Sequence, residues 1–250
     1  MDTELAQPKD MEHGDEQTQA MGLFSRLIGI VFFPGKVFQS VRERPTIWGP
    51  ILILMIVSAS VIPFLTPLNG PMVESQIRSF NPDATEEEIA QASAQAGSTA
   101  NMVIGAIAAI IMVPIQMLVY TLLYWAIYTV MMGQNASFRS VLSIIAHSQF
   151  ITIVGTVVVV SLSVYQQELV VSLHLGSLVP FLETDSLVYR ILKSIDIFTG
   201  LWICLLSIGF GVLFRMTTRT AAMVPLSLWT LWIVVKIVAA EFFGKYLPWL

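Results

Sequence analysis

Five stretches of about twenty apolar residues leave this chain few folds to choose from. An α-helix rises about 1.5 Å per residue, so roughly 20 apolar residues cross the ~30 Å hydrocarbon core of a bilayer. The stretches lie near 47–68, 105–132, 141–164, 196–216 and 222–243. Composition agrees: 55% of the 250 residues are hydrophobic and 12% charged, where soluble domains average about 25% charged. Mean hydropathy is +0.74. Hydrocarbon satisfies no backbone polar group, so each stretch is expected to be helical. The expected fold is therefore all-α: a polytopic integral membrane protein with a five-helix transmembrane bundle. No internal repeat is visible, so an inverted-repeat transporter is not supported.

Two segments precede the bundle. Residues 1–20 carry six acids against Lys9 and have too little apolar surface to fold, which predicts a disordered acidic tail. They hold no basic n-region before an apolar run, so no cleavable signal peptide is expected. In residues 21–45, Leu23, Leu27 and Val31 recur at helical spacing, and Phe24 and Ile28 widen the stripe. Pro34-Gly35 interrupts it, and Val37, Phe38 and Val41 begin a second turn. With Arg26, Lys36, Arg42 and Arg44 beside these residues, the segment reads as an N-terminal amphipathic interfacial helix whose cations bind the membrane surface. The alternative is a helix packed against the membrane domain, which occupies 46–250.

Lysine and arginine distribution predicts orientation. Arg26, Lys36, Arg42, Arg44, Arg139, Arg215 and Arg219 fall on one side, read as cytoplasmic. The connection 69–100 has Arg78 against Glu74, Asp83, Glu86, Glu87 and Glu88, and falls on the other side with 165–195. The N-terminus is then cytoplasmic and the C-terminus outside. Within the outer connections, Thr85 and Glu88 have capping-box spacing, and 178–196 is expected to hold a surface helix.

Soluble-type catalytic signatures are missing. His13, His147 and His174 share no i,i+4 spacing, and no zinc, P-loop or nucleophile-elbow motif occurs. No cofactor, metal or catalytic residue is expected. The lone Cys204 forbids an intrachain disulfide, and a net charge of −4 gives no field for nucleic acid. Ionisable and polar groups inside spans are the remaining leads, since each is costly unless paired or wet. Lys236 stands among apolar residues, and an ion pair with Asp196, or less readily with Glu241, is the expected arrangement. Pro114 should bend the second span. Beyond it Gln116, Tyr120, Tyr124 and Tyr128 repeat every four residues on one face. That face could line a wet groove or a lipid-headgroup slot, or serve interhelical hydrogen bonding and an aromatic belt. His147 begins the third span as a packing histidine or, less readily, a proton relay.

The segment PGKVFQSVRERPTIWGP, with Pro34, Phe38, Arg44 and Pro45, resembles the approach to the first span in bacterial members of the Yip (Ypt-interacting protein) family. The stretch from Ser194 to Trp232 resembles that family's fourth and fifth spans through Asp196, Phe198, Trp202, Gly209, Arg215, Arg219 and Trp229. The resemblance covers about 25–245. It implies a five-helix bundle with a cytoplasmic N-terminus in the bacterial inner membrane. Eukaryotic relatives bind Rab-type small GTPases and one another, but their DLYGP and GY-type motifs are absent here, so GTPase binding does not carry over. The leading expectation is a non-catalytic membrane-organising or adaptor protein that binds lipids, protein partners or itself. The alternative is a small-solute or ion transporter or channel using Lys236 and Asp196. A membrane enzyme acting on lipid or envelope material comes last, for want of a nucleophile, metal set or carboxylate pair.

Overall fold

The computed structural model describes residues 21–169, 173–183 and 186–243. The acidic tail expected over 1–20 lies outside the described residues. The order is α1 (Leu23–Phe32), α2 (Pro34–Glu43), α3 (Trp48–Ser60), α4 (Ile62–Leu65), α5 (Asn69–Phe80), α6 (Glu86–Ala96), α7 (Thr99–Ala126), α8 (Phe138–Ser148), α9 (Phe150–Gln166), α10 (Leu187–Lys193), α11 (Ile197–Phe214) and α12 (Thr218–Phe243). No strand occurs among the described residues.

Five helical stretches are long and apolar enough to cross a membrane: Trp48–Phe80, Thr99–Met131, Phe138–Gln166, Ile197–Phe214 and Thr218–Phe242. The first two run 33 residues each, about 50 Å at ~1.5 Å per residue, so both must tilt or project well beyond the hydrocarbon. Helices α5 and α6 pack on each other and carry the acidic connection. The capping box forms as spaced: Thr85 N–H donates to Glu88 Oε2 at 2.9 Å, and Glu88 N–H to Thr85 Oγ1 at 3.3 Å. The bond from the Thr85 backbone N–H holds the Glu88 carboxyl below the usual range. The surface helix expected before the fourth span is α10. Pro114 lies inside α7 without ending it.

The core sits at the end of the bundle where α2, α8 and α11 meet. Every residue from Val141 to Ser148 of α8 is buried, which requires neighbours on all sides. Helices α7 and α11 pack along it, and α1 and α2 close the remaining side. Val37, Phe38 and Val41 of α2 enter a shared cluster with Ile144, Ile145, Leu206, Phe210 and Tyr128. Approach is close enough that a Cβ on Gly209 would lie 2.6 Å from Ile144 Cγ2 and 3.1 Å from the Phe38 ring. On α7 the pattern reverses: Ile104, Ile107, Ile111, Leu118 and Leu122 are exposed and form a lipid-facing surface.

The N-terminal segment departs from the expected interfacial helix. It is two helices, and α2 packs into the bundle on its apolar face while Lys36, Gln39 and Glu43 point outward. Helix α1 is inverted relative to a soluble amphipathic helix: Phe24, Ile28, Val31 and Phe32 are exposed, and Arg26 is buried. The helical stripe was legible, but the side of it that faces protein was not. Phe38 decides this by filling the gap beside Gly209.

Gly209→Ala is expected to cost roughly 1–3 kcal/mol through overpacking against Phe38 and Ile144. Thermal unfolding in detergent checks the loss, and the double variant with Phe38→Leu should recover part of it.

Candidate functional site

Two groups of buried polar side chains hold helices together. Arg26 is 3% exposed, and its guanidinium reaches back to the end of α2 and the start of the first span. Nη1 donates to the Arg44 carbonyl at 3.2 Å and to Thr46 Oγ1 at 2.9 Å. Nη2 donates to the Ser40 carbonyl and hydroxyl at 3.2 and 3.0 Å. The chain of bonds continues into α8. Ser143 Oγ donates to the Thr46 carbonyl at 2.9 Å, and His147 Nδ1 lies 2.7 Å from the Ser143 carbonyl. A carbonyl only accepts, so Nδ1 carries the hydrogen. Arg26 Nε and His147 Nε2 have no partner. No carboxylate pairs with Arg26 among the described residues. Burial, then the Arg44 charge, lowers its pKa from the usual arginine value. Four neutral acceptors compensate a charge that would otherwise be costly to bury.

The remaining members of the expected membrane-surface set part company. Arg26 is buried, because its guanidinium folds onto acceptors at the end of α2 and in the segment that joins α2 to α3. Arg42 donates Nη1 to the Val212 carbonyl at 3.3 Å, a cation placed on the C-terminal turn of α11, where the helix dipole favours it. Lys36 and Arg44 are exposed, and Lys36 Nζ stands 5.8 Å from the Phe33 ring centroid.

The tyrosine face of α7 forms the second group. Tyr124 packs on Phe210 with ring centroids 5.1 Å apart, Tyr128 on Phe210 and Phe214 at 4.7 Å each, and Tyr120 on Trp202 at 5.5 Å. Gln116 Nε2 donates to the Tyr120 hydroxyl at 3.1 Å in an exposed position. Tyr128 sits in a π-helical turn, Ile127–Met131, and its buried hydroxyl donates to the Ala221 carbonyl at 2.6 Å. That bond answers a specific need. Pro225 lies inside α12, has no N–H, and so leaves the carbonyl four residues earlier, that of Ala221, without its helical partner. The stripe was visible in the sequence. The reach of Tyr128 across 93 residues to Ala221 was not, since nothing local reports which hydroxyl meets which freed carbonyl.

At the opposite end the expected Lys236 ion pairs do not form. Among the described residues neither Asp196 nor Glu241 lies within 4 Å of Lys236, which is half-buried. Asp196 instead caps α11: Oδ1 accepts from Phe198 N–H and Thr199 N–H at 2.9 Å each, and Oδ2 accepts from Thr199 Oγ1. Glu241 accepts from Arg190 of α10 at 3.2 Å. Asp196 directly precedes α11, the natural N-cap position, and capping satisfies two otherwise orphaned donors without moving the chain. His174, which the spacing did not single out, meets Asp196 through a backbone bridge. Burial, then Lys193, lowers its pKa. No cluster of three or more metal-ligating side chains occurs among the described residues.

Five spans, a helical lead-in packed beneath them and a basic turn between the last two spans are the features by which the chain can be compared with others. The Yip1 domain matches residues 28–240. The chain belongs to the Yip1 domain family. It is 27% identical to Membrane protein YknW of Bacillus subtilis (strain 168) over 187 residues, 73% of this chain and 76% of that protein. No solved structure matches. The match begins at residue 28, within α1, so the second half of α1 and all of α2 lie inside the family domain.

Two substitutions test these assignments. Tyr128→Phe is expected to cost about 1–3 kcal/mol by orphaning a buried carbonyl. In a Pro225→Ala background the backbone N–H restored by the substitution takes that carbonyl. The cost should then fall well below the single-variant value in a double-mutant cycle of thermal unfolding. Arg26→Lys removes at least two of the four bonds. At about 1.5–3 kcal/mol for hydrogen bonds to a charged group, amide exchange across Leu23–Phe32 should quicken about tenfold or more while that of α12 stays unchanged.

Proposed function

We propose that this Yip1-family membrane protein is a non-catalytic organiser or adaptor, working by what it holds rather than by what it converts. The observation that carries this is how its interior polar groups are engaged. Arg26, His147, Tyr128 and Asp196 all bond to backbone carbonyls, hydroxyls or N–H groups of the bundle itself, while broad apolar faces of α1, α7 and α12 are left outward. Groups committed to packing are poorly placed for proton transfer or ion passage. Lipid and protein contacts, including contacts with a second copy, fit the exposed faces. Exposed Lys36, Arg44, Arg139, Arg215 and Arg219, with the outward Phe24, Ile28 and Phe32 of α1, suit a surface against anionic headgroups. The positive-inside pattern puts that surface in the cytoplasm, with the C-terminus outside a bacterial inner membrane.

The full chain, reconstituted in bilayers with and without anionic lipid, should show slower amide exchange across 23–43 when anionic lipid is present. The variant Lys36→Ser/Arg44→Ser should lose that difference. Protection indifferent to lipid charge rejects the headgroup part. Transport has a separate test: Lys236→Cys in a Cys204→Ala background should resist impermeant thiol reagents from both sides, with loop cysteines as reacting controls. Labelling would replace this reading with a wet pathway through the bundle.

A further inference from the structure

One face of the bundle is left open in a specific shape. Helix α12 packs on α11, and α7 packs on α3 and α8, so a groove remains between α7 and α12 with α11 as its floor. Its volume is about 410 Å³, and its walls include Tyr120, Tyr124, Trp202, Pro225, Trp229 and Trp232. All three helices are spans. Trp202 lies about 8 Å from the N-terminal end of α11 and Pro225 about 10 Å from that of α12 at ~1.5 Å per residue, so the groove lies along the middle of the spans, within the hydrocarbon.

We infer that this groove holds the acyl chain of a single phospholipid. Three observations lead there. The first is size. A spanning helix about 10 Å across and ~30 Å long occupies on the order of 2,400 Å³, so the groove seats about one turn of a helix. A volume of 410 Å³ lies instead in the range of small-molecule sites, about 300–1,000 Å³. The second is the lining. Helices pack against one another in membranes through Gly, Ala, Ser and Thr, which let backbones approach. Here three tryptophans and two tyrosines stand in the walls and keep a second helix at a distance, while a flexible methylene chain fits between rings. The third is rigidity. Tyr120 and Tyr124 pack against Trp202 and Phe210 of α11, and Tyr128 fastens the Pro225 turn through Ala221. The groove is thus formed before its occupant arrives, which lowers the ordering cost of binding.

The groove is independent of the basic surface proposed above: a lipid chain can be held here whether or not α1 and α2 engage headgroups, and each can fail alone. The test is native mass spectrometry of the full chain purified from membranes in mild detergent. Wild type should retain one phospholipid per chain. Leu123→Trp and Leu231→Trp fill the groove from its two walls and should each lower the lipid-bound fraction about tenfold. Leu122→Trp is the control, because Leu122 is exposed on the adjacent face of α7 and outside the groove. A wild-type chain without retained lipid, equal retention in the filled variants, or a dimer that the filled variants abolish would overturn the assignment; the last would give the groove to a second copy. Should the filled variants not fold, delipidated wild type titrated with a phospholipid carrying brominated acyl chains decides it. Tryptophan quenching that saturates at one lipid per chain supports the groove, and quenching that rises without saturation rejects it.

Discussion

Hydrocarbon supplies no hydrogen bonds, and the interior of this protein is arranged around that fact. A spanning helix tolerates a proline only if something else takes the carbonyl it frees. In α12 that carbonyl is Ala221, and the hydroxyl that takes it comes from Tyr128 on the turn that ends the α7 span. The bond draws that span towards α12 at the core end, brings Tyr128 against Phe210 and Phe214, and sets the line along which Tyr124 and Tyr120 continue up α11. A π-helical turn at Ile127–Met131 places the tyrosine there. The extra residue in that turn shifts the helix face, a local cost balanced by a satisfied carbonyl.

Packing in a bilayer lacks the usual hydrophobic drive between helices, since lipid tails are as apolar as leucine. What remains is close contact, polar bonds and, at the membrane edge, ordinary burial from water. Those contributions are unevenly placed. At the core end α2 brings Phe38 into a gap that Gly209 keeps open, Arg42 meets the last turn of α11, and Arg26 joins α1 to the first span and α8. At the other end, the Arg190–Glu241 pair is largely exposed and worth about 0–1 kcal/mol. The lead-in segment therefore belongs to the bundle's stability as much as any span does.

How far the sequence carried the reading follows from how local each signal is. The spans were legible because about twenty apolar residues is a length set by the bilayer. The α6 cap was legible because Thr85 and Glu88 lie within one turn. The tyrosine stripe was legible because a period of four is a face of a helix. Arg26 was misassigned for the opposite reason: a cation beside an apolar stripe looks like a headgroup ligand, and only the positions of Ser40, Thr46 and Arg44 in space turn it inward. Lys236 and Asp196 looked like partners because both are charges near one end of adjacent spans, yet Asp196 had nearer donors in Phe198 N–H and Thr199 N–H. Local geometry settled the competition before the distant charge entered it.

The Arg26 junction also bears on why α1 presents an apolar face outward. A helix that buries its only cation has no charge left to hold it at a headgroup, and Phe24, Ile28 and Phe32 are then free to enter the acyl region. The nearest outward cation, Lys36, lies beyond the Pro34 break and over Phe33, where the chain turns back towards the polar face of α2. The two helices thus divide a task that a single amphipathic helix would perform alone. The first leaves its apolar face outward, the second packs its apolar face into the bundle, and Arg26 of α1 ties the end of α2 to Thr46, which α8 in turn holds through Ser143. That fastening runs through Thr46 and Ser143 to His147, so one run of hydrogen bonds joins α1 to the most buried helix of the bundle.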